Sequence, residues 1–371
     1  MKRQSVRLDT AELAQLIDLL RTHGYEVNGP RKSGPALRLA PLSSASDLPA
    51  GVDSETSPGR YRLAKAPDDR IFGAGPLADP AKRFLHAPEA RFASAERENG
   101  AFRIIHDNPP APKIALFGLR PCDVAGIARM DRVLIGDRFA DPQYRARREQ
   151  TFIIAANCVR SAATCFCASM DTGPRAISGF DIVLTEHLDG RLEYLAESGS
   201  TKGAAILAEL KAPAAAPEFV RACHAQCDAA AAQQTRSVDY KKARQIVLRH
   251  FDHPRWDDAG KRCLACGNCT MACPTCFCVY TADRSSPDLS RAERWRFWDS
   301  CFTHSFSYIH GGSVRTSIKS RYRQWLSHKL AHWQDQFGET GCVGCGRCIT
   351  WCPAGIDITE EFAALEPSST T

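Results

Sequence analysis

One cysteine spacing occurs twice in this sequence, and it constrains the fold more than any other feature. The run Cys-x2-Cys-x2-Cys-x3-Cys-Pro ends once at Pro274 and again at Pro353. Three thiolates on so short a loop can hold three corners of a cubane iron–sulfur cluster, and the fourth cysteine of such a run ligates the cluster of the other run in two-cluster ferredoxins. The repeat therefore predicts two [4Fe–4S] clusters.

The crossed pattern assigns four thiolate ligands to each cluster. Cluster one is predicted to be held by Cys263, Cys266, Cys269 and Cys352. Cluster two is predicted to be held by Cys342, Cys345, Cys348 and Cys273. Structural zinc sites use four ligands, usually arranged as two pairs, and two complete four-cysteine runs fit that pattern poorly. A zinc-stabilised interaction module is nevertheless the alternative from a different class of protein.

The chain has 17 cysteines, and those outside the two runs need separate interpretations. The sequence leaves open whether four N-terminal cysteines bind a third iron–sulfur cluster, bind zinc or remain as free thiols. This N-terminal group is Cys122, Cys158, Cys165 and Cys167. Three more cysteines are predicted to be buried thiols beside the clusters, with ligation of a further cluster as the alternative, because no fourth ligand is evident: Cys276, Cys278 and Cys301. Cys223 and Cys227 are predicted to be ordinary helix thiols.

Hydrophobic runs predict an α/β fold for the N-terminal half. Residues 113–118 and 151–156 are short continuous apolar segments with a helical pattern between them, which is typical of neighbouring parallel strands. Cys122 and Cys158 follow these segments, so both are expected beyond the carboxyl ends of the strands, where ligands gather in such sheets. Local patterns also predict a helix over 9–22, an irregular loop over 29–60 and a hairpin over 180–196.

The segment between the two runs is much longer than in a compact bacterial ferredoxin. Apolar residues recur at near-helical spacing from Arg315 to Trp333, so this part is predicted to be a helical ferredoxin-like domain, resembling the cluster-binding half of succinate dehydrogenase iron–sulfur subunits. The predicted class is mixed α+β: an α/β domain at 1–217, a helical connection at 218–252, a helical dicluster ferredoxin domain at 253–365 and a disordered tail at 366–371.

The predicted helix between the runs carries basic residues without an acidic one. They are Arg315, Lys319, Arg321, Arg323 and Lys329. One interpretation is a solvated face. The alternatives are that these cations lie near the clusters, whose four thiolates leave them net negative, or that they dock an acidic partner.

Composition excludes several classes of function. A net charge of +6 over 371 residues falls short of a nucleic-acid-binding signature, and no apolar run reaches the length of a membrane helix. The residues Met1–Gln4 begin no signal peptide, so a cytoplasmic location without membrane contact is expected. There is no G-x-G-x-x-G after a strand and no G-x-x-x-x-G-K-[ST], so no nicotinamide, flavin or nucleotide site is expected. The chain is therefore predicted to conduct electrons without catalytic residues of its own.

Several phrases carry a resemblance to a known family: Gly118-Leu119-Arg120-Pro121-Cys122-Asp123, Thr164-Cys165-Phe166-Cys167, Thr172-Gly173-Pro174, Trp298-Asp299-Ser300-Cys301 and Gly311-Gly312-x-x-Arg315. Together with the two runs, they resemble the iron–sulfur β subunit of cytoplasmic NAD(P)-linked [NiFe] hydrogenases (sulfhydrogenases). The related A subunit of anaerobic sulfite reductase shares the pattern. The similarity covers most of the chain, from about residue 60 to 360. One departure is Asp171, where the family pattern has glycine.

The resemblance implies a heteromeric enzyme. A flavin-bearing reductase subunit would exchange electrons with NAD(P)H, and the small and large subunits of a [NiFe] hydrogenase would carry out the chemistry of H2. This chain would relay electrons between them through its clusters. The alternative within the same pattern is an electron-transfer subunit of an anaerobic sulfite reductase complex.

Overall fold

The computed structural model describes residues 3–73, 75–107, 110–136 and 138–365. The predicted disordered tail at 366–371 lies outside the described residues. Helices and strands both contribute throughout the chain, which confirms the predicted mixed α+β class. Where one domain ends and the next begins stays a prediction.

The strands are numbered in chain order. They are β1 (Ser5–Leu8), β2 (Glu26–Ser33), β3 (Ala36–Pro41), β4 (Val52–Ser57), β5 (Arg60–Lys65), β6 (Glu89–Glu98), β7 (Ala101–His106), β8 (Ile114–Leu119), β9 (Thr151–Ala156), β10 (Ile182–Asp189), β11 (Arg191–Ser198), β12 (Val279–Ser285), β13 (Arg291–Trp298), β14 (Tyr308–Ile309) and β15 (Gly312–Ser313).

The α-helices are numbered in the same way. They are α1 (Thr10–Thr22), α2 (Lys82–Leu85), α3 (Pro121–Leu134), α4 (Pro142–Glu149), α5 (Thr201–Glu209), α6 (Pro217–Ala232), α7 (Tyr240–Arg249), α8 (Arg255–Arg262), α9 (Asn268–Met271), α10 (Ile318–Ser327), α11 (Trp333–Phe337), α12 (Arg347–Thr350) and α13 (Ile358–Ala363).

A seven-stranded sheet in the order β1-β11-β10-β9-β8-β2-β3 forms the centre of the N-terminal half. The predicted neighbours β8 and β9 are adjacent and parallel, and β10 and β11 form the predicted hairpin. Alternate residues of β8 belong to two hydrophobic cores on opposite faces of the sheet: Phe117 packs on one face and Leu116 on the other. Helices α1 and α5 cover the first face and α3 covers the second, so both faces are buried, as the continuous apolar runs require.

The predicted helix over 9–22 is confirmed as α1. Asp9 accepts a hydrogen bond from the Glu12 N–H, and the Glu12 side chain accepts one from the Asp9 N–H, which forms a capping box. The prediction of a loop over 29–60 is wrong. Strands β2 and β3 pair as one hairpin there, and β4 and β5 pair as another. Most of their proline and glycine residues lie at turns and strand ends, where they are compatible with strands. Gly29 and Pro30 lie inside β2, but beyond the three residues of β2 that pair with β8.

A second sheet connects the two halves of the chain. Its strands run in the order β12-β13-β6-β7, and all of its neighbours are antiparallel. Strands β6 and β7 come from the N-terminal half, whereas β12 and β13 lie between the two cysteine runs. The long segment between the runs therefore begins with a β-hairpin, which the helical prediction for that segment did not include.

The second part of the segment between the runs is helical, as predicted. Helix α10 continues through a π-helical turn at His328–His332 into α11. Its apolar residues Tyr322, Trp325 and Leu326 are buried in the core of the C-terminal half. Within the described residues, no helix combines the length and apolar character needed to cross a membrane.

Candidate iron–sulfur centres

The first group of cysteines lines a pocket at the surface of the C-terminal half. Its lining includes all four predicted ligands of cluster one: Cys263, Cys266, Cys269 and Cys352. The opposite wall is apolar and consists of Phe302, Tyr322, Trp325 and Ile356. Helix α8 ends one residue before Cys263, and α12 ends two residues before Cys352, so these helix ends deliver both thiols to the pocket. The structure thus brings the last cysteine of the second run to the first run.

Backbone geometry in this loop suits a bulky anionic core. Ala265 and Gly267 have positive φ, so the chain between the cysteines turns sharply. The N–H of Ala265 lies 3.4 Å from Cys263 Sγ, and the N–H of Ile356 lies 3.3 Å from Cys352 Sγ. Hydrogen bonds to the sulfurs are one of the means by which proteins tune iron–sulfur clusters.

The second group contains the predicted ligands of cluster two and lies deeper in the protein. Cys273, Cys342 and Cys345 are buried, and each lies close enough to Cys348 to help raise the pKa of its thiol. Cys273 has the same effect on the pKa of Cys345. Gly344 and Gly346 have positive φ, as Gly267 does in the first run. The Gly344 N–H lies 3.5 Å from Cys342 Sγ, and the Thr275 N–H lies 3.4 Å from Cys273 Sγ. The two runs therefore fold alike.

A buried ammonium group contacts the second group directly. Lys329, in the π-helical turn, is 6% exposed, and its Nζ lies 3.2 Å from Cys273 Sγ, 3.1 Å from Thr275 Oγ1 and 3.4 Å from Gly341 O. Burial disfavours its charge, but the neighbouring thiols of Cys273, Cys276 and Cys342 outweigh burial and raise the pKa of Lys329 well above its usual value. The lysine is therefore a cation beside the predicted ligands of cluster two.

The basic residues of the predicted helix do not share one role: some belong to a solvated face, and others lie near the predicted clusters. Lys319 and Arg323 are at the surface, where they pair with Asp257 and Asp252. Arg321 is buried and donates hydrogen bonds to the carbonyls of Arg315 and Thr316, at 3.2 and 2.9 Å. Lys329 donates a hydrogen bond to the predicted ligand Cys273, and the charge of Arg321 favours the thiolate of the predicted ligand Cys263.

The four N-terminal cysteines come together at the carboxyl edge of the large sheet. Cys122 lies in the first turn of α3, directly after β8, and Cys158 follows β9. Cys158 lies close enough to Cys165 and Cys167 to help raise the pKa of each thiol, and Cys167 does the same for Cys122. Gln234 Nε2 lies 3.3 Å from Cys167 Sγ, and burial raises the pKa of the Cys167 thiol to about 12. These thiols need a cationic or metal partner to ionise.

The N-terminal group and the second group adjoin one another. Cys122, Cys167, Val343 and Cys345 form one buried cluster. The Phe166 N–H donates to the Gly344 carbonyl at 2.9 Å, and a Cβ on Gly344 would lie 2.6 Å from the backbone of Cys167. Only glycine permits so close an approach of the two loops.

A buried ion pair lies between the same two groups. The Arg347 Nη2 donates to Asp123 Oδ2 at 2.9 Å, and both side chains are 2% exposed. Arg347 precedes Cys348 by one residue, and Asp123 follows Cys122. Burial opposes the charge of Arg347, but Asp123, Cys345 and Cys122 together raise its pKa. Neither Asp123 nor Arg347 was identified as a site residue from the sequence, although Asp123 belongs to the Arg-Pro-Cys-Asp phrase.

Asp171, where the resemblance leads us to expect glycine, lies in a turn whose backbone suits glycine. Asp171 adopts φ 53° and ψ 35°, the left-handed conformation that glycine enters without strain. Aspartate tolerates this conformation better than most residues. Its Oδ2 accepts a hydrogen bond from the Tyr240 hydroxyl at 2.7 Å, which holds the turn beside the N-terminal cysteines.

The remaining cysteines fall into two sets. Cys223 and Cys227 are buried on α6, as predicted, and burial raises the pKa of each thiol to about 12. Cys276, Cys278 and Cys301 lie beside the predicted ligands of cluster one and cluster two. Lys82, which belongs to no motif of the sequence, lies beside them as well.

The donor set fits iron–sulfur clusters. The predicted ligands are all thiols, they are gathered in groups of four, and backbone N–H groups point at their sulfurs. Among the described residues, no three His, Cys, Asp or Glu side chains lie close enough together to hold a single metal ion. The cysteines of each group are thus spread more widely than the ligands of one ion.

Comparisons with known proteins agree with this chemistry. The model of a 4Fe–4S dicluster domain matches residues 262–356, which contain both cysteine runs. Sulfhydrogenase 2 subunit beta of Pyrococcus furiosus is 31% identical over 284 residues, covering 76% of this chain and 80% of the relative. A more distant relative is one of the subunits of the dihydromethanophenazine:CoB–CoM heterodisulfide reductase of Methanosarcina barkeri, which is 26% identical over 137 residues, covering 36% of this chain and 27% of the relative. No solved structure matches the chain.

The fold and the two cysteine runs thus define an iron–sulfur protein with a C-terminal dicluster domain. The predicted iron–sulfur class is confirmed, and the zinc alternative loses its support. Because the similarity to the sulfhydrogenase subunit extends over most of both proteins, the chain belongs to the family of iron–sulfur β subunits of sulfhydrogenases.

Proposed function

We propose that this chain is a non-catalytic subunit that relays electrons between a flavin-bearing NAD(P)H reductase subunit and the small and large subunits of a [NiFe] hydrogenase. The family membership supports a role in electron transfer within a heteromeric complex. The proposed location of this complex is the cytoplasm. When bound, the clusters supply sites that accept and release one electron at a time, and the protein tunes their potentials through burial, hydrogen bonds and nearby charge.

The observation that carries the proposal is the continuity of the three cysteine groups. Cys348, a proposed ligand of cluster two, also lines the pocket of cluster one. Cys345, on the other side of cluster two, packs against Cys122 and Cys167 of the N-terminal group. A relay needs neighbouring centres without a gap between them. The order cluster one, cluster two, N-terminal group provides such a series.

The proposed ligands follow the sequence prediction. Cluster one takes Cys263, Cys266, Cys269 and Cys352, and cluster two takes Cys342, Cys345, Cys348 and Cys273. We further propose that Cys122, Cys158, Cys165 and Cys167 hold a third cluster. Its support is that four thiols from separate loops converge at the edge of the sheet, next to cluster two.

The two ends of the series differ in their access to partners. Cys266 is exposed, and its neighbour Leu264 is 64% exposed, so the pocket of cluster one opens to the surface. Three cysteines of the N-terminal group are buried and Cys158 is partly buried, but a cleft lined by Pro121, Met170 and Thr172 lies beside the group. Each end therefore offers a surface to a different redox partner.

Iron and acid-labile sulfide analysis of anaerobically purified protein, with low-temperature electron spin resonance, tests the ligands. Cys269→Ser should lower the iron content and alter one cluster signal. Cys223→Ser is the matched control, because Cys223 is fully buried on α6 and its electrostatic neighbours are Glu197, Arg7 and Glu193. Equal iron loss in both variants, or an iron-free and colourless wild-type protein, would contradict the assignment.

The relay itself is tested in the assembled complex. Cys269→Ser should abolish H2-dependent reduction of NAD(P)+, while dye reduction by H2 and dye reduction by NAD(P)H both persist. If the chain instead co-purifies with a siroheme subunit and supports sulfite reduction, the alternative function within the family pattern is correct.

A further inference from the structure

Three cysteines that the proposed relay does not use meet at the base of the β12–β13 hairpin. Val279 pairs with Trp298, and the Asp299 N–H donates to the Cys278 carbonyl at 2.9 Å. This register places Cys278 beside Cys301, and their thiols are hydrogen-bonded to each other. Cys276, two residues earlier, has its thiol in contact with that of Cys273. The hairpin therefore gathers thiols that are far apart along the chain.

A buried cation without a carboxylate partner faces these thiols. Lys82 is 4% exposed, and its Nζ donates to Cys276 O at 2.8 Å and to Thr270 O at 3.1 Å, and lies 4.3 Å from the centre of the Trp298 ring. Among the described residues, no acidic side chain lies within ion-pair distance of Lys82. Burial lowers the pKa of Lys82, and the thiols of Cys276, Cys273 and Cys278 oppose this shift. Because a buried charge is costly unless it is compensated, a negatively charged group held by these thiols would stabilise the ammonium.

The local sequence repeats a phrase from the N-terminal group. Thr164-Cys165-Phe166-Cys167 and Thr275-Cys276-Phe277-Cys278 are identical at all four positions. Both threonines anchor to the second cysteine run or its edge: Thr164 Oγ1 lies 2.9 Å from Thr350 Oγ1, and Thr275 Oγ1 donates to Gly341 O at 2.5 Å. In each copy the Cys-x-Cys segment is therefore held against the second run, with further cysteines arriving from other loops.

From this arrangement we propose that Cys276, Cys278 and Cys301 bind a further iron–sulfur cluster, with Lys82 as the neighbouring positive charge. Each thiol loses its proton when it binds iron, and the hydrogen bonds between thiols are replaced by bonds to metal. Three thiolates leave one iron of a cubane for a ligand other than cysteine. This centre would lie beside cluster one and cluster two, because Cys269 and Cys273 are its nearest cysteine neighbours.

Iron counting on the full-length chain, purified without air, tests the proposal. Cys278→Ser, Cys301→Ser and the double variant are the sharpest changes, because neither residue contacts Cys273. The double variant should lose about four irons and four sulfides per chain and one electron spin resonance signal, as expected for loss of one [4Fe–4S] cluster. Cys223→Ser should keep the wild-type values. A double variant with wild-type iron and sulfide content overturns the proposal.

Two further measurements keep the proposal falsifiable if the double variant does not fold. Lys82→Met keeps all thiols, so its iron content should equal that of the wild type, while the midpoint potential of one signal becomes more negative. Unchanged potentials in Lys82→Met contradict the role of the lysine. Alkylation and mass spectrometry of the wild type should find no Cys278–Cys301 disulfide; such a bond together with full iron content overturns the proposal. A failure of the hydrogenase relay would change none of these readouts.

Discussion

Arg347 and Asp123 form an ion pair with an Nη2–Oδ2 distance of 2.9 Å, from which solvent is almost completely excluded. The pair joins the second cysteine run to the first turn of α3. The Arg347 Nε also donates to the Leu77 carbonyl at 2.7 Å, so three separate segments meet at one guanidinium. Its charge lies next to Cys345 and Cys122, which belong to different proposed clusters.

Breaking this pair should destabilise the protein strongly. Asp123→Asn leaves the Arg347 charge buried without its partner, a change that typically costs about 3–5 kcal/mol. Thermal or denaturant unfolding of the anaerobic protein should therefore show a clearly lower midpoint. Arg221→Met removes an exposed ion pair with Glu218 and should change stability by less than about 1 kcal/mol. Equal effects of the two substitutions would contradict the importance of burial.

Lys329→Met should lower the midpoint potential of cluster two. The methionine fills similar space but removes the positive charge and the hydrogen bond to Cys273 Sγ, both of which favour the reduced, more negative cluster. We expect at least a tenfold change in the reduction equilibrium, or about 59 mV for one electron. Redox titration monitored by electron spin resonance measures it. Lys319→Met, which removes a surface contact with Asp257, should leave the potentials unchanged.

Gly344→Ala should damage the contact between the second run and the N-terminal cysteines. The new Cβ would lie 2.6 Å from the Cys167 backbone, so the two loops would have to separate. Iron content and unfolding midpoint should both fall. Gly338→Ala is the control: Gly338 also has positive φ, but nothing lies within 4 Å of its Cβ position, so only about 1–2 kcal/mol of backbone strain is expected and the iron content should be retained.

The titration of Glu186 should make the free energy of unfolding fall as pH rises. Burial raises its pKa from 4.5 to about 7, although hydrogen bonds from the Ile71 and Phe72 N–H groups and the charges of Arg120 and Arg70 oppose the shift. Between those values the unfolded chain releases the proton that the folded protein keeps, so the free energy of unfolding falls as pH rises, by at most about 1.4 kcal/mol per pH unit.

The test for Glu186 is a series of unfolding measurements from pH 4.5 to pH 7. Glu186→Gln cannot titrate and should show a shallower decline than the wild type. Glu218→Gln, at an exposed position, should keep the wild-type slope. A Glu186→Gln protein with the wild-type slope would show that another group is responsible.

Much of the fold follows from local pattern. The runs of β8 and β9 are apolar apart from Thr151 because both sheet faces are covered, and together with the helical pattern between them this identifies parallel strands. Helix α1 was predictable from Asp9 and the apolar residues that follow it at helical spacing. The hairpins within 29–65 were not, because their prolines, serines and glycines resemble a loop unless the pairing of distant strands is known.

The candidate site also combines features that local sequence predicts with features that depend on tertiary packing. The spacing of the two runs predicts which thiols converge, because three cysteines of each group are close in sequence and the known crossing of such runs supplies the fourth. Lys82 donates to the Cys276 carbonyl and Lys329 contacts the Cys273 thiol, yet these lysines come from α2 and from the π-helical turn. Their position depends on tertiary packing, and a lysine in a sequence is far more often at the surface than buried. The sequence alone therefore does not predict which lysines compensate the negative charge of the cysteine thiolates.

The pairing of β6 with β13 also bears on how this protein can move. Seven residues of β13 register with β6, from Arg291 opposite Glu96 to Phe297 opposite Glu89. A hinge between the N-terminal and C-terminal halves would have to tear this ladder apart. The distances between the cysteine groups are therefore fixed by the fold, because the two halves cannot separate without breaking the backbone hydrogen bonds between β6 and β13.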